Sequence, residues 1–284
     1  MWTRRGLIAD ACLLPLAAWA GDNPEGLVEA IETRLGGRLG VAALDTQTGQ
    51  RIAWRGSERF AMCSTFKLLL VARVLHRAGN GTESLDRWVK YGQADLLSYA
   101  PTARARLGNG GMTVKDLCEA AIVWSDNTCA NLLLASVGGP KGVTAQARAL
   151  GDTVTRLDRT EPTLNTAIAG DARDTTAPGA MLEDMNRILL GDALAEPLRR
   201  QLADWMIACR TAANRIRAGV PSGWVRGNKT GTGDNGSTND IAILWPPDRK
   251  PILLAVYCTG SKASLKDREA AIADVARIVS TAFV

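Results

Sequence analysis

Ser64 and Lys67 form a pair whose residue types and spacing could support nucleophilic chemistry. They open an apolar, helix-like run at residues 68–72, and residues three apart lie on one face of a helix. The start of that helix would also offer unpaired backbone N–H groups and the positive end of its dipole. A serine nucleophile needs a nearby proton acceptor and support for the oxyanion that it creates. The spacing therefore predicts a serine nucleophile, although the same short pattern also occurs at ordinary capped helix starts.

Three further motifs follow Ser64 along the chain. Ser125-Asp126-Asn127 lies between two helix-like segments, Glu161 and Asn165 lie in a polar irregular segment, and Lys229-Thr230-Gly231-Thr232 stands where apolar strands resume. Each motif alone has an ordinary structural explanation, as a helix cap, a surface carboxylate or a strand end. Found together in this order, they predict one site in which hydroxyl, amide, carboxylate and ammonium groups surround Ser64.

The charge balance and the histidine count exclude several classes of function. The 284 residues carry 34 Lys and Arg, 29 Asp and Glu, and a formal net charge of +5, with no long basic run. We interpret this excess as a feature of solubility or of an envelope protein and not as a nucleic-acid footprint. The only histidine, His76, lies in the polar tail after the apolar run, so a zinc site with several histidine ligands is excluded. We expect no metal and no cofactor.

The N-terminus has the pattern of an export signal. Arg4-Arg5 supplies the positive region, residues 13–19 form a short apolar stretch, and Ala18-Trp19-Ala20 matches a small-x-small cleavage pattern. The apolar stretch is too short to span a membrane. We therefore predict that residues 1–20 are a cleaved signal peptide and that the protein is periplasmic. The paired arginines favour a twin-arginine route, and a lipoprotein signal using Cys12 is the alternative.

The elements that must position these motifs can be predicted from hydrophobic periodicity. Apolar runs at 39–44 and 52–54 flank a polar turn, which predicts a β-hairpin, and a second predicted hairpin joins 241–245 to 252–257. Apolar stripes at helical spacing predict one helix before the first hairpin and another after the second. Both termini therefore contribute strands and a helix.

The middle of the chain is different in character. Residues 64–206 are mostly helical in pattern, interrupted by a long polar segment at 156–178. Strands at both ends with helices between them predict an α+β fold, an α/β sandwich whose antiparallel sheet is flanked by helices and carries an inserted all-α domain. We place a discontinuous sheet domain at 21–60 and 209–284 and the all-α domain at 61–208, with the active site in the cleft between them.

The complete motif set resembles the class A serine β-lactamases, whose Ser-x-x-Lys, Ser-Asp-Asn and Lys-Thr-Gly motifs occur here in the family's order. The likeness covers nearly the whole chain after residue 20, and its nearest relatives look like exported, chromosome-type penicillinases of Gram-negative bacteria. Further matches are Phe60, Cys63, Asp95, Leu96, Tyr99, Arg156, Leu157, Asp158, Arg159, Gly170, Asp171, Asp174, Thr175, Thr176, Asn239 and Asp240.

The resemblance implies an activity and a set of partners. The activity is hydrolysis of the β-lactam amide bond of penicillins and cephalosporins through a serine acyl-enzyme, which gives antibiotic resistance. The partners are small-molecule β-lactam substrates and β-lactamase inhibitors, with no nucleic acid and no membrane span. The resemblance also implies a monomer that needs no cofactor.

The family's mechanism can be carried over residue by residue. Ser64 would attack the lactam carbonyl, and the backbone N–H groups of Ser64 and Thr232 would form the oxyanion hole. Glu161 and Asn165 would hold the water that hydrolyses the acyl-enzyme, with Glu161 accepting its proton. The base for acylation stays open between Lys67 and Glu161 acting through a water.

The remaining roles concern the leaving group and the substrate's side groups. Ser125 would relay a proton to the departing lactam nitrogen, helped by Lys67 and Lys229. The resemblance assigns the substrate's amide side chain to Asn127, its carboxylate to Lys229, Thr230 and Thr232, and the cleft mouth to Tyr99.

Support for the loop that bears Glu161 is also implied by the resemblance. Arg159 and Asp174 match the two ends of that loop and are expected to form an ion pair across its neck. Asn131 is expected to brace the loop from the adjacent helix. The Glu161-Pro162 peptide bond is a candidate for the cis form.

Two positions depart from the family pattern. Thr238 stands where many members carry an arginine that helps to bind the substrate carboxylate, and Arg215 matches a subset that supplies this charge from a neighbouring strand. We predict that Arg215 supplies it here. Cys63 matches a cysteine that carbapenem-hydrolysing relatives join to a second cysteine, but Gly233 occupies that second position. We therefore expect Cys63 to be a buried thiol.

Two alternatives share the same scaffold. A penicillin-binding D-alanyl-D-alanine peptidase would share Ser64, Lys67 and the Lys229 motif but would stay acylated. A non-catalytic penicillin sensor would bind the drug without turnover. Glu161 with Asn165 favours the hydrolase, because a deacylating water needs a carboxylate to accept its proton.

Overall fold

The computed structural model describes residues 23–284, so the predicted signal peptide and its cleavage site lie outside the described residues. The strands among these residues are β1 (Arg38–Asp45), β2 (Arg51–Trp54), β3 (Phe60–Ala61), β4 (Trp88–Lys90), β5 (Gly111–Thr113), β6 (Thr175–Thr176), β7 (Val225–Thr232), β8 (Thr238–Trp245) and β9 (Ile252–Thr259). The helices are α1 (Pro24–Leu35), α2 (Phe66–Gly79), α3 (Pro101–Ala105), α4 (Val114–Val123), α5 (Asn127–Ser136), α6 (Pro140–Ala149), α7 (Pro178–Leu189), α8 (Glu196–Ile207), α9 (Ile216–Gly219) and α10 (Leu265–Phe283).

A five-stranded sheet in the order β2-β1-β9-β8-β7 forms the centre of the fold, and each neighbouring pair in it is antiparallel. The inner strands β1, β9 and β8 are almost continuously buried, because helices cover both faces. Their apolar runs therefore show no clean alternation between inward and outward residues. β7, which carries the Lys229 motif, lies at one edge of the sheet.

Helices α1, α9 and α10 cover one face of the sheet. The stripe of Ile272, Val275 and Val279 on α10 is buried there, because residues three and four apart share one side of a helix. The Ser264 side chain caps the start of α10 by accepting a hydrogen bond from the backbone N–H of Asp267. This layer closes the core with segments from both ends of the chain.

Helix α2 lies at the centre of the helical layer on the other face. Residues 68–71 are all fully buried, which is typical of a helix that is apolar all around. α4, α5, α6 and α8 pack around α2, while α7 packs on β1 and β9. The helix that begins just after Ser64 is therefore enclosed on all sides over its first two turns, which gives the serine a rigid base.

The structure confirms the predicted fold class, including the sheet built from both termini and both predicted hairpins. The polar segment between α6 and α7 is irregular, apart from the short turn Thr163–Asn165 and the two residues of β6. The short ladders β3–β6 and β4–β5 were not predicted, because two or three residues carry no recognisable period. The β3–β6 ladder joins the segment before Ser64 to the end of the irregular segment.

Candidate active site

Ser64 lies in the tight helical turn Cys63–Thr65, which leads directly into α2. The turn is held from the sheet by Asn239, whose Nδ2 donates to the backbone oxygens of Ala61 and Met62 at 2.9 and 3.0 Å. Cys63 adopts a positive φ of 45°, an uncommon backbone conformation for a residue other than glycine. Ser64 is thus presented at a fixed corner between the edge strand and α2.

The end of β7 and the residue that follows it approach this turn closely, at Gly231 and Gly233. A Cβ on Gly231 would lie 2.8 Å from the Met62 carbonyl oxygen, and one on Gly233 would lie 2.7 Å from Cys63 Sγ. Both contacts are closer than a side chain tolerates. Glycine at these two positions therefore lets the Lys229 motif lie directly beside Ser64.

Lys67 is the hub of the hydrogen-bond network around Ser64. It is fully buried, and its Nζ donates to Ser64 Oγ at 3.0 Å, to the Ser125 backbone oxygen at 2.8 Å and to Asn127 Oδ1 at 2.6 Å. The same Nζ lies 3.0 Å from Glu161 Oε1. The helical spacing predicted from the sequence thus brings Lys67 to Ser64 and extends the contact to two further motifs.

Ser125 connects Lys67 to the second lysine of the site. Lys229 Nζ donates to Ser125 Oγ at 2.8 Å and to its neighbour's backbone oxygen, Thr230 O, at 2.8 Å. Burial, followed by the positive charge of Lys67, lowers the pKa of Lys229 to about 7. Ser125 itself has a positive φ of 58°. The Ser125 hydroxyl is therefore held between two amines.

Glu161 reaches Ser64 from the irregular segment. The Ser64 hydroxyl donates to Glu161 Oε1 at 3.3 Å, and Asn165 Nδ2 donates to Glu161 Oε2 at 2.5 Å. Asn131 of α5 fixes the backbone of Glu161 with a reciprocal pair, donating to its oxygen at 2.9 Å and accepting from its N–H at 3.0 Å. The Glu161–Pro162 peptide bond is cis. The structure therefore places a carboxylate, and the amide predicted to work with it, beside the serine.

The neck of this segment is closed by Asp174. Its Oδ2 lies 2.5 Å from Arg159 Nε, and its Oδ1 accepts from the backbone N–H groups of Asp158 and Arg159 at 2.8 and 2.9 Å. Its backbone oxygen accepts from the Met62 N–H at 2.9 Å, close to the Ser64 turn. One buried aspartate thus ties both ends of the Glu161 segment to the turn that carries Ser64.

Arg215 lies behind the end of β7. It is buried, and it donates through Nη2 to Thr232 Oγ1 at 2.7 Å and through Nη1 to the backbone oxygens of Gly231 and Asn239 at 2.9 and 2.8 Å. An ion pair with Glu269 at 3.1 Å holds its other side. The structure therefore brings this guanidinium to Thr232 from the residue just before α9, and not from a strand.

The remaining predicted residues differ in how closely they join the network. Asn127 is in direct contact with Lys67, and its backbone N–H donates to the backbone oxygen of Tyr99 at 3.1 Å. The Tyr99 side chain is 47% exposed, and its hydroxyl donates to the Trp124 backbone oxygen at 3.1 Å. Tyr99 therefore lies outside the buried network, at its solvent side. Cys63 is a buried free thiol whose pKa burial raises to about 12.

Three supporting residues were missed as parts of the site. Asp126 accepts at Oδ1 from the Cys129 N–H and at Oδ2 from the N–H groups of Thr102 and Ala103, so it caps α5 and holds α3. Its cap pattern was visible in the sequence, but its second contact was not. Asn239 and Thr211 are the others, and both act across strands or loops that are distant in sequence.

Within residues 23–284, no group of three or more His, Cys, Asp or Glu side chains is arranged to hold a metal ion. No helix in that same part of the chain combines the length and apolar character that a membrane span requires.

Comparison with known proteins gives a consistent result. The model of the β-lactamase enzyme family matches residues 25–283. The chain is 44% identical to β-lactamase OXY-2 of Klebsiella oxytoca, over 98% of this chain and 97% of the relative. It is 47% identical to β-lactamase Toho-1 of Escherichia coli, over 99% and 98% of the two chains. The solved structure of a reconstructed last common ancestor of Gram-negative class A β-lactamases, GNCA4, matches with a TM-score of 0.90 and 56% identity, over 92% of this chain and 99% of the other.

Proposed function

The chain belongs to the class A serine β-lactamases and hydrolyses β-lactam antibiotics, which gives resistance to them, and from this premise we propose how the cleft residues divide the reaction. The observation that carries the proposal is the position of Glu161 and Asn165 beside Ser64. We propose penicillins and cephalosporins as the substrates. The helical unit at 61–208 and the sheet unit at 21–60 and 209–284 are proposed as the domains that form the cleft.

Acylation begins with attack of Ser64 Oγ on the lactam carbonyl. Two groups lie close enough to take the hydroxyl proton, Lys67 at 3.0 Å and Glu161 at 3.3 Å. Lys67 Nζ donates to several oxygens at once, whereas Glu161 Oε1 accepts the hydroxyl. We therefore assign the proton to Glu161, and Lys67 stabilises the developing charges as a donor. The backbone N–H groups of Ser64 and Thr232 are proposed as the oxyanion hole.

Collapse of the tetrahedral intermediate requires a proton on the lactam nitrogen. Ser125 is proposed to deliver it, because its hydroxyl accepts from Lys229 and lies 3.4 Å from Lys67 Nζ. The Ser125 hydroxyl can give its proton to the nitrogen and receive one from Lys67 in return, and Lys67 regains its proton from Glu161, 3.0 Å away, which restores the carboxylate for deacylation. Ser125 thereby acts as a general acid that is not itself consumed.

Deacylation requires a water activated next to the ester. Glu161 is the proposed base, and Asn165 Oδ1 is a buried acceptor with no hydrogen-bond partner in the described structure. A water between these two groups could donate one proton to each, which orients its oxygen toward the acyl carbon. The reciprocal Asn131 pair and the Asp174 clamp keep the carboxylate in place.

Substrate recognition is proposed to use the edge strand. Lys229, Thr230 and Thr232, with Arg215 behind Thr232, form a cationic and hydroxylic patch for the substrate's carboxylate. Asn127 is proposed to bind the amide side chain, and Tyr99 to line the cleft mouth.

The cellular setting of this activity is also proposed. The N-terminal pattern supports export to the periplasm with removal of residues 1–20. The paired arginines make the twin-arginine pathway a candidate route. β-Lactamase inhibitors are expected to occupy the same cleft. A monomer is sufficient for the proposed chemistry, since every assigned side chain comes from one chain.

Turnover and intact mass with benzylpenicillin test this proposal. We expect rapid turnover by the purified mature protein and no accumulated adduct. Glu161→Ala should accumulate a covalent adduct on Ser64, because Lys67 still lies 3.0 Å from Ser64 Oγ to accept the proton in acylation, whereas deacylation has lost its base. Turnover should fall by about 10²- to 10⁴-fold, the usual contribution of a general base. Glu29→Ala, at an exposed position of α1, is the matched control and should behave like the wild type. A stable adduct on the wild type would indicate a penicillin-binding peptidase or a sensor instead.

A further inference from the structure

Thr230 is contacted from behind by a second threonine that the proposed mechanism does not use. The oxygens Thr211 Oγ1 and Thr230 Oγ1 lie 2.5 Å apart, and Thr230 is almost fully buried. On the side away from Thr230, Thr211 Oγ1 lies 3.4 Å from Sγ of the buried Cys209. These three groups form a chain that runs from the loop after α8 to the hydroxyl proposed to meet the substrate.

The direction of hydrogen bonding along this chain decides what Thr230 can offer. A hydroxyl has one proton to donate and two lone pairs that accept. When Thr230 donates to Thr211, its lone pairs face the substrate and repel a carboxylate. When Thr211 donates to Thr230, the Thr230 proton is free to point at the carboxylate. Only the second arrangement supports binding.

The neighbouring hydroxyl of β7 shows the same logic with a fixed direction. Thr232 Oγ1 receives a hydrogen bond from Arg215 Nη2 at 2.7 Å. A guanidinium can only donate, so Thr232 must use its own proton elsewhere. Each of the two strand hydroxyls thus has a partner behind it, an arginine in one case and a threonine in the other.

We propose that Thr211 is a positioning residue, which donates to Thr230 and so turns the Thr230 hydroxyl into a donor toward the carboxylate of the β-lactam. This inference rests on the proposed role of Thr230 in carboxylate binding. The Cys209 thiol completes the chain as a weak donor to Thr211, which leaves the Thr211 proton for Thr230. Thr211 therefore sets specificity for an anionic substrate group without touching it.

Kinetics of Thr211→Val and Thr211→Ser with benzylpenicillin test the proposal. Valine keeps the shape of threonine but removes the donor, so KM should rise about fivefold with kcat nearly unchanged, as expected from the net worth of one hydrogen bond. Serine keeps the hydroxyl and should restore KM to within about twofold of the wild type. Thr211→Ala is measured alongside, so that loss of the hydroxyl is separated from changes in packing. Thermal unfolding of each variant confirms that it is folded.

A double-mutant cycle identifies the route of the effect. In a Thr230→Val background, Thr211→Val should change KM very little, because the hydroxyl through which it acts is gone. Additive effects, an unchanged KM in Thr211→Val, or an equal loss in Thr211→Ser would each overturn the inference while leaving the hydrolase assignment intact. Lack of turnover by the wild type would instead overturn the proposed function. If Thr230→Val kept the wild-type KM, Thr230 would not bind the substrate carboxylate, and the role proposed for Thr211 would be wrong as well.

Discussion

Two buried aspartates in neighbouring regions of the chain have opposite surroundings. Asp174, at the neck of the Glu161 segment, is 0% exposed and accepts from a guanidinium and two backbone N–H groups. Asp184, in the helix α7 that follows, is 1% exposed, and neither of its carboxyl oxygens receives a hydrogen bond in the described structure. The same side chain is thus fully satisfied in one place and without donors in the other.

The chemical state of Asp184 follows from this difference. Burial, followed by the charge of Asp152 and a hydrogen bond to it, raises the pKa of Asp184 to about 9, although Arg187 and Arg148 act in the opposite direction. A pKa of about 9 keeps Asp184 protonated and neutral at pH 7. The hydrogen-bond donors around a buried carboxyl group therefore determine its state. With donors it can stay charged and hold two segments together, and without them it becomes a neutral acid whose burial reduces stability.

Removing the charge of Asp174 should have the largest effect. In Asp174→Asn, a neutral amide replaces the buried carboxylate, so the neck loses its 2.5 Å ion pair and Arg159 keeps only the more distant Asp171, 3.9 Å away, as an anionic partner. We expect the free energy of unfolding to fall by about 3–5 kcal/mol. Displacement of Glu161 by about 1 Å should reduce kcat about 100-fold. Urea unfolding and steady-state kinetics measure the two effects.

The control for this variant lies outside the segment. Asp204 is at an exposed position of α8, so Asp204→Asn should leave kcat within about twofold of the wild type. If Asp174→Asn kept a wild-type kcat, the neck would not position Glu161, and the contrast between the two aspartates would concern stability alone.

Asp184→Asn should act in the opposite direction and stabilise the protein. The folded pKa of about 9 lies above the ordinary value of 3.8, so the folded state binds the proton more tightly. Stability from this group is therefore complete below about pH 4 and is lost progressively as the pH rises toward 9. At pH 7 the loss is at most about 4 kcal/mol, and asparagine should recover roughly 2–4 kcal/mol of it.

Urea unfolding at pH 5, 7 and 9 measures this gain. The difference between Asp184→Asn and the wild type should grow with pH, whereas Asp204→Asn, at an exposed position of α8, should show no such trend. A variant that is less stable at every pH would show that burial of the neutral acid carries no penalty for asparagine to relieve.

The contrast between these aspartates also marks what could be predicted from sequence. Ser64 and Lys67 were predictable because helical spacing is a local property, and the sheet was predictable because its runs are long and apolar. Asp174 was identified only through the resemblance. Asp184 was invisible, since it lies in a segment correctly predicted as helical and nothing local reveals that its donors are missing.

Thr211 shows a further limit of the sequence. It is a single hydroxyl in a short loop, and its partner lies on a strand that pairs with it only in the folded protein. Asn239 braces the Ser64 turn across 178 residues of sequence, against 19 between Thr211 and Thr230. Contacts of this kind depend on tertiary packing, and no spacing rule covers them.

Lys229 extends the comparison to a buried cation. Because burial and the charge of Lys67 lower its pKa to about 7, it should lose its charge on the alkaline side of neutrality. The charged form binds the substrate carboxylate, and its fraction falls from about one half at pH 7 to about 1% at pH 9, so kcat/KM for benzylpenicillin should fall by about 50-fold over this range. Lys229→Arg keeps its charge over this range and should show no such fall. A wild-type profile that stays flat to pH 10 would contradict a depressed pKa.

The exposed ion pair of Arg200 and Glu196 is the reference for the buried groups, and its removal should give the smallest change in the free energy of unfolding. Their side chains are 71% and 66% exposed, and the charged atoms lie 2.6 Å apart on one face of α8. Water already solvates both groups, so Glu196→Gln should change the free energy of unfolding by no more than about 0.5 kcal/mol. Urea unfolding in low and high salt measures this, and any small loss should disappear in high salt. A loss as large as that of Asp174→Asn would mean that ion pairing itself, and not burial with matched donors, separates the two aspartates.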